Sequence, residues 1–462
     1  MKRPPSPNGL CIGLLLAAPV FAAVDGQARL SSHKTTETEE TMAKHHSSQH
    51  HLVDATAWHP EQGAMRLNGF MLMSKGTSNS YLVTSEAGDV VINTGMANQG
   101  ARHRQRYEEL LGRPLNVRKI IFTQHHSDHI GGWAAFADQG SETIAQRRFP
   151  ELKQAFEMLL PFFGPRMMNV IPSLVQTPNP DDLPLPPAQV AFEPVLFDDS
   201  LAFAVGGRRF ELIAMDSGEA LDGVVVWLPG EKALFTGNLT GAIHGALPNF
   251  YTLRGDRQRS VAQFIRDMER IIELRPALLV TGHDDPIEGE DRVLAYFTKL
   301  RDTVKHIHDE TVKGMNAQQS LSHLMDSIRL PEALAMEPGR SPPSWTVRAV
   351  YEEYAGWFRH ERTTELYGTP ASSIWPELAE LAGGVDALVA AAARHLDANE
   401  PVKAMHFIEI ALANDPGNRA VRKAQIAALN QLIERSRGRN FDESGWLETQ
   451  IQQAQEVIDN AE

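Results

Sequence analysis

The run Thr123-Gln124-His125-His126-Ser127-Asp128-His129-Ile130-Gly131-Gly132 constrains this chain more than any other segment. It follows residues 117–123, which read as a buried strand, and it ends in a glycine pair. A strand end followed by a tight loop can set alternate side chains around one point. Asp128 and His129 can turn inward together while His126 points to a neighbouring position. Gly131 and Gly132 let the next helix start close to the sheet. Imidazole nitrogens and carboxylate oxygens are the ligands that zinc takes, about four of them at ~2.0–2.2 Å. The loop is therefore predicted to hold zinc or a similar ion at the C-terminal end of a strand.

Composition narrows the rest. A chain of 462 residues predicts two or three domains. Lys2 and Arg3, the apolar run at residues 10–22 and the small residues around Val20-Phe21-Ala22 predict a signal peptide over 1–22, hence a periplasmic or secreted protein. No later stretch reaches ~18 apolar residues, so no stable membrane span is expected. The single cysteine, Cys11, lies inside that signal. A mature chain without cysteine forms no disulfide and must hold zinc with His, Asp, Glu or neutral oxygen ligands. The formal charge of −14 excludes nucleic acid as a partner, because phosphate binding needs a positive surface. An anionic substrate would then need a local basic group.

Residues 23–60 are polar and read as a flexible leader; the cluster of His45, His46, His50 and His51 is taken as part of that solvated segment. From 61 to 296, β-branched runs alternate with helical spacing. Strands are predicted at 80–84, 89–93, 117–123, 209–214, 223–228, 232–235 and 277–281, with helices at 101–111 and 257–274. Strands that end in polar, metal-type residues place a site at one sheet edge. Residues 141–200, proline-rich and aperiodic, read as an insertion over that site. From 297 to 450 the strand signal ends. Helices are predicted at 304–315, 320–328, 344–358, 375–382, 385–399, 401–413 and 419–437, and residues 451–462 read as a tail.

Further segments carry a resemblance. Ser217-Gly218-Glu219 stands ten residues ahead of Pro229, and Asn238 follows nineteen residues after Glu219. Thr252-Leu253-Arg254-Gly255 and Gly282-His283 come next. The helical half holds His308-Asp309-Glu310-Thr311, Val347-Arg348-Ala349-Val350-Tyr351, Leu381-Ala382-Gly383-Gly384 and Glu443-Ser444-Gly445-Trp446. Together with the His loop, these resemble the alkyl sulfatase branch of the metallo-β-lactamase-fold hydrolases over about residues 64–450.

The resemblance implies an α/β fold: a metallo-β-lactamase αββα sandwich as catalytic domain, followed by an all-α helical dimerisation domain, and hence a homodimer. It implies one or two zinc ions. The first position would use Gln124, His126 and Glu219, the second Asp128, His129 and His283, with Asn238 where the family has a bridging glutamate. Arg254 would face the sulfate, so Asp128 and Arg254 carry the catalytic roles. Three residues depart from the family pattern: Gln124 replaces a histidine, Asn238 a glutamate and Asn93 an aspartate that supports the metal loop. The second position is therefore expected to fill first, with the first weak or empty. His125 is an off-register alternative ligand. Full-length relatives carry a further lipid-carrier-like domain that is not expected in this chain, which counts against detergent-like substrates.

The activity expected is hydrolysis of a small anionic alkyl sulfate ester to an alcohol and sulfate by a metal-activated water. The same fold serves other esters, lactones and β-lactams. The three departures also fit a non-catalytic dimeric binding protein with a degenerate site.

Overall fold

A computed structural model describes residues 62–171, 183, 185–241, 244–336, 339 and 341–460. The predicted signal peptide, the leader and its histidine cluster lie outside the described residues.

The strands are β1 (Met65–Arg66), β2 (Met71–Ser74), β3 (Ser80–Val83), β4 (Asp89–Ile92), β5 (Val117–Ile121), β6 (Glu142–Gln146), β7 (Val195–Phe197), β8 (Ser200–Val205), β9 (Arg208–Met215), β10 (Gly223–Leu228), β11 (Ala233–Phe235), β12 (Leu278–Val280) and β13 (Ile287–Glu288). They form two sheets, one in the order β1 to β7 and one in the order β13-β12-β11-β10-β9-β8. The first sheet is antiparallel up to β4 and parallel from β4 to β7. The second is antiparallel except where β11 runs parallel to β12.

Strand periodicity explains the layering. On β4, Val90 and Ile92 face the other sheet and share a core with Tyr81, Ile121, Val226 and Phe235. Val91, between them, faces the opposite way and packs with Tyr107, Ile120 and Phe122. β10 does the same, with Val224, Val226 and Leu228 between the sheets and Val225 and Trp227 turned to the outer helices. A strand covered on both faces reads as an unbroken apolar run, as β4 and β10 do in the sequence.

The α-helices flanking the first sheet are α1 (Gly100–Leu111), the short turns α2 (Ser127–Ile130) and α3 (Trp133–Phe136), α4 (Phe149–Met158) and α5 (Leu160–Val170). The second sheet carries α6 (Val261–Leu274) and α7 (Glu290–Asn316). Ser260 caps α6, its hydroxyl accepting from the Gln263 N–H. The helical part continues with α8 (Leu321–Ser327), α9 (Pro343–Ala355), α10 (Trp375–Leu381), α11 (Val385–Asp397), α12 (Pro401–Asn414), α13 (Arg419–Ser436) and α14 (Phe441–Asp459). None of the described helices is long and apolar enough to cross a membrane.

Three stretches differ from the sequence expectation. The helix expected from 304 starts at Glu290, because Val293, Phe297 and Leu300 are buried against the second-sheet core. Residues 141–200 are not all an insertion: β6, β7 and β8 belong to the sheets, and α4 and α5 lie between them. Pro161 and Pro165 and the outward-facing Phe162 and Met168 hide the helical spacing of α5. α14 runs on to Asp459, through most of the segment read as a tail.

Candidate metal centre

Every candidate ligand comes from beyond the C-terminal end of a strand, at one edge of the sandwich. β5 leads into Gln124, His125 and His126, and α2 carries Asp128 and His129. β9 is followed by Glu219, β11 by Asn238 and β12 by His283. Gly218, with φ of 71°, makes the turn before Glu219, where a Cβ would sit 2.4 Å from the Leu239 carbonyl oxygen.

Asp128, His129 and His283 converge, each offering one ligand atom within 4.8 Å of the others. Asp128 Oδ2 lies 3.3 Å from His129 Nε2 and 3.5 Å from His283 Nε2. His283 Nδ1 donates to the Thr77 carbonyl at 2.5 Å, which leaves its Nε2 free to accept. His129 is fully buried, and its Nε2 has no hydrogen-bond partner among the described residues. Burial pushes the His129 imidazole down to about 4, against the opposing pull of Asp128. Burial acts most strongly on Asp128 and would raise it, but His129 and His283 bring it below the ordinary carboxylate value. The cluster thus sets a neutral His129 imidazole beside an ionised carboxylate. One divalent ion at ~2 Å from each donor fits this set, because the carboxylate supplies charge and the buried nitrogen lacks any other partner.

The other predicted position is knitted together differently. The Gln124 amide nitrogen donates to His126 Nδ1 at 2.7 Å, and its oxygen accepts the Asn238 backbone N–H at 3.3 Å. The Asn238 side chain donates to Glu219 Oε2 at 3.4 Å. Amide groups therefore engage one acceptor atom each of His126 and Glu219, whereas His126 Nε2 has no hydrogen-bond partner among the described residues. Burial, then the charges of His125, Arg254 and Arg259, hold His126 well below the ordinary imidazole value. His125 turns away from both positions and pairs with the buried Asp222, Nδ1 to Oδ1 at 2.9 Å.

A cavity of about 150 Å³ opens over Asp128 and His283 and is also lined by Glu219, Asn238, Arg254 and Arg259. Arg254 lies with its guanidinium 5.6 Å from the centre of the Phe156 ring and its Nη2 3.3 Å from Asp256. Arg259 is almost fully buried and reaches the same carboxylate at 2.6 Å and the Asn249 carbonyl at 2.8 Å. One acid thus ties two cations beside the cavity. Arg166 of α5 donates to the carbonyl of Arg254 at 2.6 Å and of Leu253 at 3.0 Å, which pins the arginine loop under that helix. Phe156, Met167 and Ile171 from the 141–200 region and Phe441 at the start of α14 complete the apolar wall. A second cavity of about 480 Å³ shares Phe156 and Thr252 with the first. The sequence reading did not single out Arg259, Asp256, Phe156 or Phe441. They are ordinary residue types that only folding brings to the loop.

Residues 73–283 match the metallo-beta-lactamase superfamily, and residues 321–449 match the alkyl sulfatase dimerisation family. The chain therefore joins a metallo-β-lactamase sandwich to an alkyl sulfatase dimerisation domain, and its homologues are alkyl sulfatases. A linear primary-alkylsulfatase of Pseudomonas sp. is 24% identical over 335 residues, which covers 67% of this chain and 62% of that protein. An alkyl/aryl-sulfatase of Saccharomyces cerevisiae is 23% identical over 415 residues, or 84% of this chain and 62% of its own length. The solved stereoselective inverting sec-alkylsulfatase of Pseudomonas sp. shares the fold with a TM-score of 0.72 at 20% identity, covering 86% of this chain and 65% of that one. The chain thus spans a little under two thirds of the length of these relatives.

Proposed function

We propose that this protein is a metal-dependent hydrolase that cleaves small alkyl sulfate esters to an alcohol and inorganic sulfate. The observation that carries the reading is the cavity in which Asp128 and His283 meet the Arg254 guanidinium. Asp128, His129 and His283 would hold one divalent ion, with zinc the natural choice for this donor set. A bound ion supplies a water nucleophile at neutral pH. Arg254 takes the sulfate, because its forked donors span two oxygens of a tetrahedral oxyanion. Asp256 and Arg259 hold Arg254 in place. Phe156 and Phe441 keep bulk water from the ester, and the adjoining larger cavity receives the apolar part of the substrate. A homodimer, formed through the helical half, and a periplasmic or secreted location belong to the same proposal.

The hydrogen-bonded chain of Gln124, His126, Asn238 and Glu219 favours a second reading, a dimeric binding protein without catalysis. One experiment separates the two. Protein purified without chelator is analysed for metal and then assayed for sulfate release from short primary and secondary alkyl sulfates. Bound metal with sulfate release is the expected result. Bound metal without it moves the substrate to another ester, a lactone or a β-lactam, and absence of metal leaves the binding protein.

A further inference from the structure

Asn93 sits just past the end of β4 with φ of 58°, a left-handed conformation that asparagine and aspartate tolerate. Its side chain is buried between Thr123 and His129. The amide oxygen accepts the Thr123 backbone N–H at 3.0 Å and the Thr123 hydroxyl at 3.1 Å. The amide nitrogen lies 2.9 Å from His129 Nδ1 and 3.0 Å from Thr123 Oγ1. A backbone N–H can only donate, so the Asn93 atom that faces it is the oxygen. The atom that faces His129 is then the NH2 group, which has no lone pair to offer.

That orientation fixes a proton. His129 Nδ1 must accept from Asn93, and a neutral imidazole that accepts at Nδ1 carries its hydrogen on Nε2. Nε2 is the nitrogen directed at Asp128, at 3.3 Å, inside the cluster with His283. A metal would need a lone pair there. His283 shows the opposite arrangement, since the Thr77 carbonyl can only accept and so draws the hydrogen to Nδ1. Of the two imidazoles in the cluster, one is set to bind an ion and the other is set against it.

We infer that Asn93 is a positioning residue that keeps His129 in the tautomer with its proton on the metal-facing nitrogen. Ion uptake then requires that proton to pass from Nε2 to Nδ1, with none released overall. It also requires the Asn93 amide to turn, which sets its NH2 group against the Thr123 N–H. An aspartate at the same place removes the conflict. One of its oxygens accepts the Thr123 N–H while the other accepts His129 Nδ1–H. The inference rests on the reading of Asp128, His129 and His283 as a metal site.

The test compares the full chain with Asn93→Asp, a variant whose residue also tolerates this backbone conformation. Zinc affinity is measured by competition with a chromophoric chelator. The histidine tautomers of both metal-free proteins are read from long-range nitrogen–proton NMR correlations. The expected result is a proton on His129 Nε2 in the wild type and on Nδ1 in the variant, with zinc bound about 10- to 100-fold more tightly by the variant, the usual weight of a group behind a metal ligand. A wild-type His129 protonated on Nδ1, or equal zinc affinity of two proteins that both bind zinc, overturns the inference and leaves the metal reading standing. If neither protein binds zinc, the metal reading falls. The tautomers then decide the role of Asn93 alone: a shift between the two proteins supports it and an unchanged His129 overturns it.

Discussion

Asp128 is the single anion of the cluster that it forms with His129 and His283, and it touches both imidazoles. Asp128→Ala is therefore expected to abolish stoichiometric metal and to lower any sulfate release by at least ~100-fold, since a second ligand cannot replace the lost charge. Metal retained in full by that variant would reassign the ligands. A different histidine governs acid stability. His103 is buried beside Ser74, whose hydroxyl lies 2.7 Å from its Nδ1, and burial, aided by Arg106, pushes it down to about 3. The folded value lies below the ordinary ~6.5, so the unfolded chain binds more protons between the two and stability falls as pH drops through that window. His103 alone should cost about 2 kcal/mol between pH ~6.5 and pH ~5. Urea unfolding at the two pH values measures it, and His103→Gln should flatten the dependence. At this scale the sequence was most legible where chemistry and spacing coincide. Asp128 and His129, which the structure brings together with His283, stand side by side in the chain, and the resemblance points to His283. Arg259 was not legible, because nothing in its neighbourhood marks it as a neighbour of Arg254 and the loop.

The metal loop is held by how closely two elements approach. The N-terminus of α1 meets the glycine pair backbone to backbone: a Cβ on Gly132 would lie 2.3 Å from the Thr94 carbonyl oxygen and 2.5 Å from Gly100 Cα. No flexible side chain can yield there. Gly132→Ala should destabilise the fold by about 1–3 kcal/mol, the usual cost of forcing atoms into a filled space. The effect is read by denaturant unfolding. Gly164→Ala is the control, since a Cβ at Gly164 within α5 meets nothing within 4 Å and alanine is the better helix former. The need for glycine after the His loop was legible, and the structure supplies the reason as the approach of α1. β4 and β10 were legible as near-continuous apolar runs because both their faces are covered. α5 was not, because two prolines and an outward apolar face break its spacing. α14 packs against α5, with Gly445 so close to Val170 that a Cβ would collide with the Val170 carbonyl oxygen, and its buried Leu447, Ala454 and Ile458 stand at helical spacing into the segment read as a tail.

Across the whole molecule, the two halves share structure rather than meeting at a linker. α7 begins beside β13 and ends in the helical part, and its inward face joins α6 and α9 in one core. Phe441 of the last helix reaches the cavity above Asp128. A disturbance of the helical half should therefore reach the site. α10 to α13 build a separate small core around Leu388, Ala404, Ile408 and Val421. Along residues 357–381 several large apolar side chains are exposed: Trp357 is 74% exposed, Tyr367 68% and Leu381 83%. Of the aromatic residues around α9, Tyr351 packs into the first core, whereas Tyr354 and Trp357 point outward. Large aromatic side chains left in water are often part of a surface that a partner covers. Sedimentation of the protein at micromolar concentration should accordingly give a dimer. Trp357→Glu combined with Leu381→Glu should shift it toward monomer by burying like charges at the contact. A wild type that sediments as a clean monomer would contradict the dimer. A double variant that remains dimeric would move the contact off this surface while leaving the dimer intact. Because Phe441 links the helical half to the cavity, the monomeric variant should also lose activity, and a monomer with full sulfate release would show that the site is complete within one chain.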